Sequence, residues 1–275
     1  MSQGIVIEPG LSSHAYAWAI GLPHYLPTDP MSAYGLLDKA AGLGLRYVQI
    51  ADNLPLERCY DWELRALKTY ADRLGIEIQV GANTLTTKRL TQYLEIARLM
   101  ETDLLRFVID GNGYTPSNDE VKSMIRPVLP DLESAKVSLA LENHDRFLCS
   151  DLVEIVESLG SENVGICLDT VNSMGASEGI ETVMKKLGPL AVNFHVKEFA
   201  VERMDHKMGF QIFGRPLGQG QLPVAEVMNY LGPRCKTAIL EQWAPLIEGD
   251  LERTIRQERE WATQSIEKLK DILSL

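Results

Sequence analysis

The sequence predicts an α/β fold, a single (β/α)8 barrel over residues 1–275 with one extended loop after its seventh strand. Three observations carry this. Short apolar runs alternate with segments of helical period from end to end, eight of each. Each of the last four runs ends in a residue able to ligate a metal. The competing doubly wound open sheet announces itself with a Gly-rich phosphate loop after its first strand, and Leu11-Ser12-Ser13-His14 is not one.

Taken in order, the first strand is expected near 10–16. A helix over 32–41 follows and is stopped by Gly42 and Gly44. The second strand is 45–50. Leu64, Leu67, Tyr70, Ala71 and Leu74 make one face of a helix over 62–74, closed by Gly75. Next come a strand at 76–80, a helix at 87–100 and a strand at 104–109. Asn118 is the expected cap of a helix that runs towards Ser134. The remaining strands are 137–142, 164–169, 190–195 and 237–241. Helices near 151–159, 178–187, 223–231 and 250–272 separate and follow them. The connection 198–221, with Gly209, Gly214, Pro216, Gly218 and Gly220, is long for a compact domain. Loops of that length are usually functional, and its place predicts a lid over the barrel mouth. No domain boundary, repeat or low-complexity linker interrupts the pattern.

The 275 residues suit one α/β barrel of roughly 250. Lys and Arg number 27 against 38 Asp and Glu, a net charge of −11 that opposes non-specific nucleic-acid binding. Residues 1–9 lack a basic region and an apolar stretch, so no secretory signal is read there. No apolar run approaches the ~20 residues a membrane span requires. Cys59, Cys149, Cys167 and Cys235 are scattered without a Cys-x-x-Cys pair. That pattern reads as reduced thiols in a cytoplasmic protein, with Cys167 a small hydrophobe inside a strand. The expected partner is a small molecule, with neither nucleic acid nor membrane; a homo-oligomer is left open.

The four ligand-bearing runs end at Glu142, Asp169, His195 and Glu241. A carboxylate closing a buried apolar strand needs a reason. Taken singly, each is readily a helix cap, a salt-bridge partner or a satisfied core residue. In a barrel, however, the C-terminal strand ends share one rim, so the four would meet. Three oxygen donors and one nitrogen suit Mn2+, Mg2+ or Co2+ and admit Zn2+. Around them, Lys197 shares a strand face with His195 and is expected to hold a substrate carboxylate or oxyanion, or to form a rim salt bridge. His144 is a candidate acid/base or substrate donor, or else a hydrogen-bond partner of a metal carboxylate. Asn172 can bind a hydroxyl but cannot serve as a strong base. Arg215, in the expected lid, could reach an anionic substrate or simply be solvated. His14 and Asn83 follow early strands and face the pocket from the opposite wall. Of Trp18, Trp62 and Trp243, the last is best placed for the pocket.

The stretches Ala140-Leu141-Glu142-Asn143-His144-Asp145-Arg146-Phe147, Gly165 to Ser173, Asn193-Phe194-His195-Val196-Lys197-Glu198, Gly214-Arg215-Pro216-Leu217-Gly218-Gln219-Gly220 and Ala238-Ile239-Leu240-Glu241 carry a resemblance. Through them the chain resembles the xylose-isomerase-like TIM-barrel superfamily, which includes sugar isomerases and epimerases, some lyases and endonuclease IV-type repair enzymes. The N-terminal half matches only in its strand–helix rhythm. The resemblance implies one divalent cation, Mn2+ first, on Glu142, Asp169, His195 and Glu241. It implies catalysis by Glu142 and Glu241, whose counterparts in ketose epimerases exchange protons with substrate carbons through a metal-stabilised enediolate. Three departures concern the substrate. Leu148 stands where those epimerases have an acidic residue, Asn172 where they have His, and Val201 where they have Arg, a role Arg203 or Arg215 could take over. The Glu-Asn-His and Asp-Thr-x-Asn pairings look more like members that cleave 3-oxo sugars or sugar acids. The leading expectation is a metal-dependent sugar isomerase or epimerase. The close alternative is a carbon–carbon lyase, a 3-oxo-sugar-acid decarboxylase like 3-oxo-isoapionate decarboxylase. A repair nuclease, disfavoured by charge and by Asn172, and a non-catalytic sugar-binding barrel complete the classes.

Overall fold

The computed structural model describes residues 6–111 and 113–274. Its strands are β1 (Glu8–Ser12), β2 (Tyr47–Ile50), β3 (Glu77–Ala82), β4 (Leu104–Phe107), β5 (Ser138–Glu142), β6 (Val164–Asp169), β7 (Ala191–Lys197), β8 (Phe199–Arg203), β9 (Phe210–Gly214) and β10 (Thr237–Glu241). Eight of them close a parallel barrel in the order β1-β10-β7-β6-β5-β4-β3-β2. The surrounding helices are α1 (Ala17–Ile20), α2 (Ala33–Gly42), α3 (Asp61–Leu74), α4 (Thr87–Met100), α5 (Asn118–Ile125), α6 (Leu129–Ala135), α7 (Cys149–Leu159), α8 (Ile180–Leu187), α9 (Val224–Met228) and α10 (Leu251–Leu273). The fold is the expected (β/α)8 barrel.

Local chemistry sets the ends. Thr86 caps α4 by accepting from the Arg89 amide at 3.1 Å, and Gly75 closes α3 in the left-handed region at φ 71°. Four expected boundaries shift. β1 begins at Glu8 rather than 10, since Glu8 and Pro9 pair with Thr237 and Ala238 of β10. It ends at Ser12, whose hydroxyl accepts from the His14 amide and turns residues Ser13–Tyr16 into a 3-10 helix. Ser117, not Asn118, caps α5, forming a reciprocal box with Glu120. The single helix expected towards Ser134 is split by a 3-10 turn, Arg126–Val128, where Pro127 has no amide to donate.

The expected lid is also different. The segment after β7 contains an antiparallel hairpin, β8 with β9, in register from Phe199↔Gly214 to Arg203↔Phe210. Its base is tied down by the buried Glu198 carboxylate. One oxygen accepts from the Phe199 and Leu222 amides at 3.0 and 2.8 Å, the other from the Gly218 amide at 2.9 Å. A Cβ at Gly220 would run into the Phe199 carbonyl, so glycine is required there.

The main core lies between barrel and helices. Inside the barrel, Leu104, Ala140, Cys167 and Val192 form a small apolar cluster from four consecutive strands. Above and beside it the interior is polar: Gln49, Gln79, Asn193 and Thr237 are all buried. On the outside, Glu258 of α10 accepts from the Trp18 and Ala19 amides at 2.8 and 2.9 Å, fixing α1 beneath the rim.

Burial pushes the Glu258 carboxyl up from 4.5 to about 7, outweighing those two amide bonds. A carboxyl raised on folding contributes stability that is complete below about pH 4.5 and lost as pH rises through about 7. The stability difference between the native chain and Glu258→Gln, measured by urea unfolding, is therefore expected to shift against the native chain by roughly 3 kcal/mol over that interval. A flat difference would show that the carboxyl titrates normally.

Candidate active site

Glu142, Asp169 and Glu241 are the last residues of β5, β6 and β10, and His195 lies two residues inside the end of β7. The strand therefore continues past the expected boundary and places Lys197 at the rim. The alternation of β7 turns His195 and Lys197 to the same face, and β-pairing sets Asp169 beside His195 and Glu241 beside Lys197. The quartet expected from sequence thus converges, and all four side chains are buried. His195 Nδ1 lies 3.4 Å from Glu142 Oε2, 3.4 Å from Glu241 Oε1 and 3.9 Å from Asp169 Oδ2.

Two overlapping groups could hold a metal ion: Asp169 with His195 and Glu241, and Glu142 with His195 and Cys167. Cys167 is the less suited donor. Burial and the neighbouring carboxylates keep its thiol protonated, and it donates to Asn193 Oδ1 at 3.2 Å. The oxygen-rich quartet fits a divalent cation on an observation of its own. His195 Nδ1 and Asp169 Oδ2 are buried without a hydrogen-bond partner, and buried polar atoms are rarely left so.

The rest of the shell disposes of the negative charge. Arg106, buried in β4, donates Nε to Glu142 Oε2 and Nη1 to Asp52 Oδ1, the latter at 2.9 Å. Lys197 Nζ lies 2.8 Å from Asp169 Oδ2 and 2.9 Å from Glu241 Oε2. Burial alone would pull this ammonium's pKa down, but Asp169, Glu241 and Glu142 outweigh it and hold it above its ordinary value. Burial would likewise raise the Glu142 and Glu241 carboxyls. Arg106 overcomes this for Glu142, and Lys197 for Glu241, so both sit below the usual carboxylate range. Ser12 Oγ donates to Glu241 Oε1 at 3.0 Å, and Asn172 Nδ2 to Glu142 Oε1 at 2.8 Å. The amides of Val171 and Asn172 both reach Asp169 Oδ1, while the Asn143 side chain brackets the Asp169 backbone through both its N–H and its C=O.

A cleft of about 380 Å3 opens over this shell, lined by His14, Arg106, His144, Asn172, Lys197 and Trp243 among others. A second cleft of about 320 Å3 shares His14, Arg106 and His144 with it and adds Asp52, Asn83, Asp110 and Asp145. His14 Nε2 is 3.6 Å from Asp52 Oδ1. His144 does not reach a quartet carboxylate; its Nδ1 is 3.1 Å from Asp145 Oδ2 but forms no hydrogen bond. Asn172 accepts from Lys197 Nζ at 3.3 Å. Arg215 is not brought to either cleft: its guanidinium pairs with Glu202 and stacks over Phe213 within the hairpin. Arg203 lies over Phe210 in the same hairpin. No hairpin residue lines either cleft, so the hairpin stands beside the site rather than over it. Trp62 is exposed on α3, and Trp18 Nε1 donates to the Ala244 carbonyl.

Arg106, Asp52, Ser12 and Gln49 were not singled out from sequence. Arg106 carried a usable signal, since a guanidinium inside Leu104-Leu105-Arg106-Phe107 must find carboxylates when that strand is buried.

Fold and site together define a (β/α)8 barrel with a carboxylate-rich centre at the C-terminal rim. The chain belongs to the xylose isomerase-like TIM barrel family, which it matches over residues 37–271. Among characterised proteins it is 31% identical over 262 residues to 3-oxo-isoapionate decarboxylase of Pectobacterium atrosepticum, covering 94% of each chain. Among solved structures it is similar to D-psicose 3-epimerase from Clostridium cellulolyticum H10 bound to D-tagatose, with a TM-score of 0.71, 16% identity, and 97% and 99% of the two chains covered. It is also similar to the IOLI protein with a bound zinc atom, with a TM-score of 0.65, 16% identity and 98% of each chain covered. Among the described residues no helix is long and apolar enough to cross a membrane.

Arg106→Met leaves Glu142 buried without its guanidinium. Urea unfolding of the metal-free protein is expected to show a loss of about 3–5 kcal/mol, partly recovered by adding Glu142→Gln. A loss below about 1 kcal/mol, or no recovery, would mean that this pair does not hold the rim together.

Proposed function

We propose that this chain is a divalent-cation-dependent decarboxylase of a 3-oxo sugar acid. The observation that carries the reading is the 31% identity to 3-oxo-isoapionate decarboxylase over 94% of both chains. The geometry supports it over isomerisation or epimerisation, which stood first on sequence. Those reactions ask a rim carboxylate to take a proton from carbon. Both Glu142 oxygens accept hydrogen bonds, from Arg106 and Asn172, and Glu241 is held by Ser12 and lies against Lys197. Carboxylates so committed are good ligands and weak bases. Loss of CO2 from a 3-oxo acid needs no such base. The bond between the carboxylate and its neighbouring carbon breaks, its electron pair moves towards the 3-oxo oxygen, and the carbon then takes a proton from solvent.

Glu142, Asp169, His195 and Glu241 would hold the cation, which when bound supplies the positive charge that draws electrons onto the 3-oxo oxygen. Lys197, at the cleft wall, pairs with the substrate's acid group, and Asn172 hydrogen-bonds a hydroxyl. His144 lines the cleft and hydrogen-bonds another hydroxyl, and His14 closes the opposite wall. Arg106 holds Glu142 in its ligand position. Arg215 is assigned no substrate contact.

In the test, Mn2+-loaded protein in D2O is offered a panel of 3-oxo-aldonates and keto-sugars. Expected are CO2 release from a 3-oxo acid with one deuterium entering at the carbon that carried it, loss of the reaction with EDTA, and its return with Mn2+. Glu142→Gln should lower the rate by orders of magnitude. Deuterium uptake into a keto-sugar without CO2 would replace this reading by epimerisation, and silence across the panel would remove both.

A further inference from the structure

Inside the barrel, below the quartet, lies a closed set of hydrogen bonds that the proposed reaction does not use. Gln49, in β2, places its carbonyl oxygen 2.7 Å from His195 Nε2. Its amide nitrogen donates to Gln79 Oε1 at 3.2 Å and to Asn193 Oδ1 at 3.1 Å. Asn193 Nδ2 donates to Thr237 Oγ1 at 2.8 Å and to Gln79 Oε1 at 3.4 Å, and Gln79 Nε2 donates to Thr237 Oγ1 at 3.1 Å. The Cys167 thiol donates to Asn193 Oδ1. Gln49 and Asn193 are wholly removed from solvent, and Gln79 and Thr237 nearly so at the edge of a cleft on the opposite end of the barrel, so the two amides nearest His195 depend on one another for partners.

The direction of this network is determined by its own bookkeeping of donors and acceptors. Turning the Gln49 amide over alone would set its oxygen against two acceptor oxygens, those of Gln79 and Asn193; turning all three amides together would leave the Gln79 and Asn193 oxygens sharing the single Thr237 hydroxyl hydrogen and take the acceptor away from the Cys167 thiol. The arrangement with the Gln49 carbonyl facing His195 keeps the most hydrogen bonds, and a carbonyl only accepts. The ring hydrogen is accordingly held on Nε2. Nδ1 is then the nitrogen left to coordinate, and it is the one that faces Glu142, Asp169 and Glu241 without a hydrogen-bond partner.

We infer that Gln49 is a positioning residue that fixes His195 as its Nε2–H tautomer, with Gln79, Asn193, Thr237 and Cys167 locking the orientation of the Gln49 amide. This rests on the reading that the quartet holds a divalent cation, and it explains a feature that packing alone does not. Barrel interiors are normally filled with layers of branched apolar side chains. A fully satisfied polar cluster there costs desolvation that an apolar core would not, unless the direction it imposes has a use. Partners of the second ring nitrogen are the usual means of orienting a metal-bound imidazole, and their loss typically weakens metal binding by about 10–100-fold.

The probe is Zn2+, which is diamagnetic. The chain has 5 histidines, so 15N-histidine labelling resolves them, and His195→Gln assigns the signal. In the zinc-loaded native protein, long-range 1H–15N spectra are expected to show hydrogen on His195 Nε2 and Nδ1 bound to zinc. Gln49→Met, similar in shape but without an amide, is expected to weaken zinc binding by about 10–100-fold in calorimetry. Gln49→Glu, which restores an acceptor while Gln79 and Asn193 turn their amides towards it, is expected to recover most of the affinity. A His195 coordinating through Nε2, or zinc affinity unchanged in a folded Gln49→Met, would overturn the inference. If Gln49→Met does not fold, the tautomer of the native protein decides alone. Zinc binding that is indifferent to His195→Gln would instead remove the cation site itself, and with it the proposed function.

Discussion

Three carboxylates and an imidazole share one buried point, and the surrounding structure is organised around making that tolerable. Burial alone would raise the pKa of the Glu142 and Glu241 carboxyls. Arg106 and Lys197 prevent this by supplying positive charge from two sides. The remaining lone pairs are taken by Ser12, Asn172 and the backbone after β6. What is left over is directional: His195 Nδ1 has no hydrogen-bond partner, and Asp169 Oδ2 has only the Lys197 ammonium as an ion-pair neighbour. A site so prepared is costly for the folded chain by itself, since unpaired buried polar atoms oppose folding. Binding of a cation to the folded state alone would return that stability by mass action.

The same constraint explains the split character of the interior. Between barrel and helices the packing is mainly apolar, with Glu258, Thr254 and Ser265 of α10 as buried polar exceptions. Within the barrel only Leu104, Ala140, Cys167 and Val192 are clustered as an apolar group, and the level beneath His195 is built from amides and a hydroxyl. The rim needs rigid side chains of defined orientation, and a satisfied polar cluster fixes orientation in a way that shape alone does not. Asn143 serves a comparable purpose at the end of β6, where it binds the Asp169 backbone through both ends of its amide. The carboxylate above it is thereby positioned from the main chain outward.

The quartet was legible in the sequence because each member closes or nearly closes a continuous apolar run, a local signal needing no knowledge of partners. The helix of 87–100 and the strands ending at Asp169 and Glu241 were legible for the same reason. What was not legible depends on partners distant along the chain. Arg106 meets Asp52 54 residues away and Glu142 36 residues away, and Gln49 meets His195 146 residues away. Within the apolar run of each strand they look like single polar interruptions. Arg215 is the opposite case. Its Gly-rich surroundings read as a lid whose arginine either reaches an anion or is solvated; Val201, Ile212 and Phe213 carry enough strand character to fold a hairpin, and Glu202 pairs with the guanidinium across it.

Fold does not choose the reaction. The barrel overlays D-psicose 3-epimerase at a TM-score of 0.71 with 16% identity, so any choice must lie in the residues around the quartet. Their charge is informative. Glu142, Asp169, Glu241 and Asp52 face Arg106 and Lys197, an excess of two negative charges with the imidazole neutral. A divalent cation would bring this cluster to neutrality. On the proposed reading, the Lys197 ammonium, no longer the only cation between Asp169 and Glu241, would then turn its charge towards the substrate's acid group, while Asp110 and Asp145 leave the adjoining cleft acidic. A neutral ketose would gain nothing from the Lys197 charge.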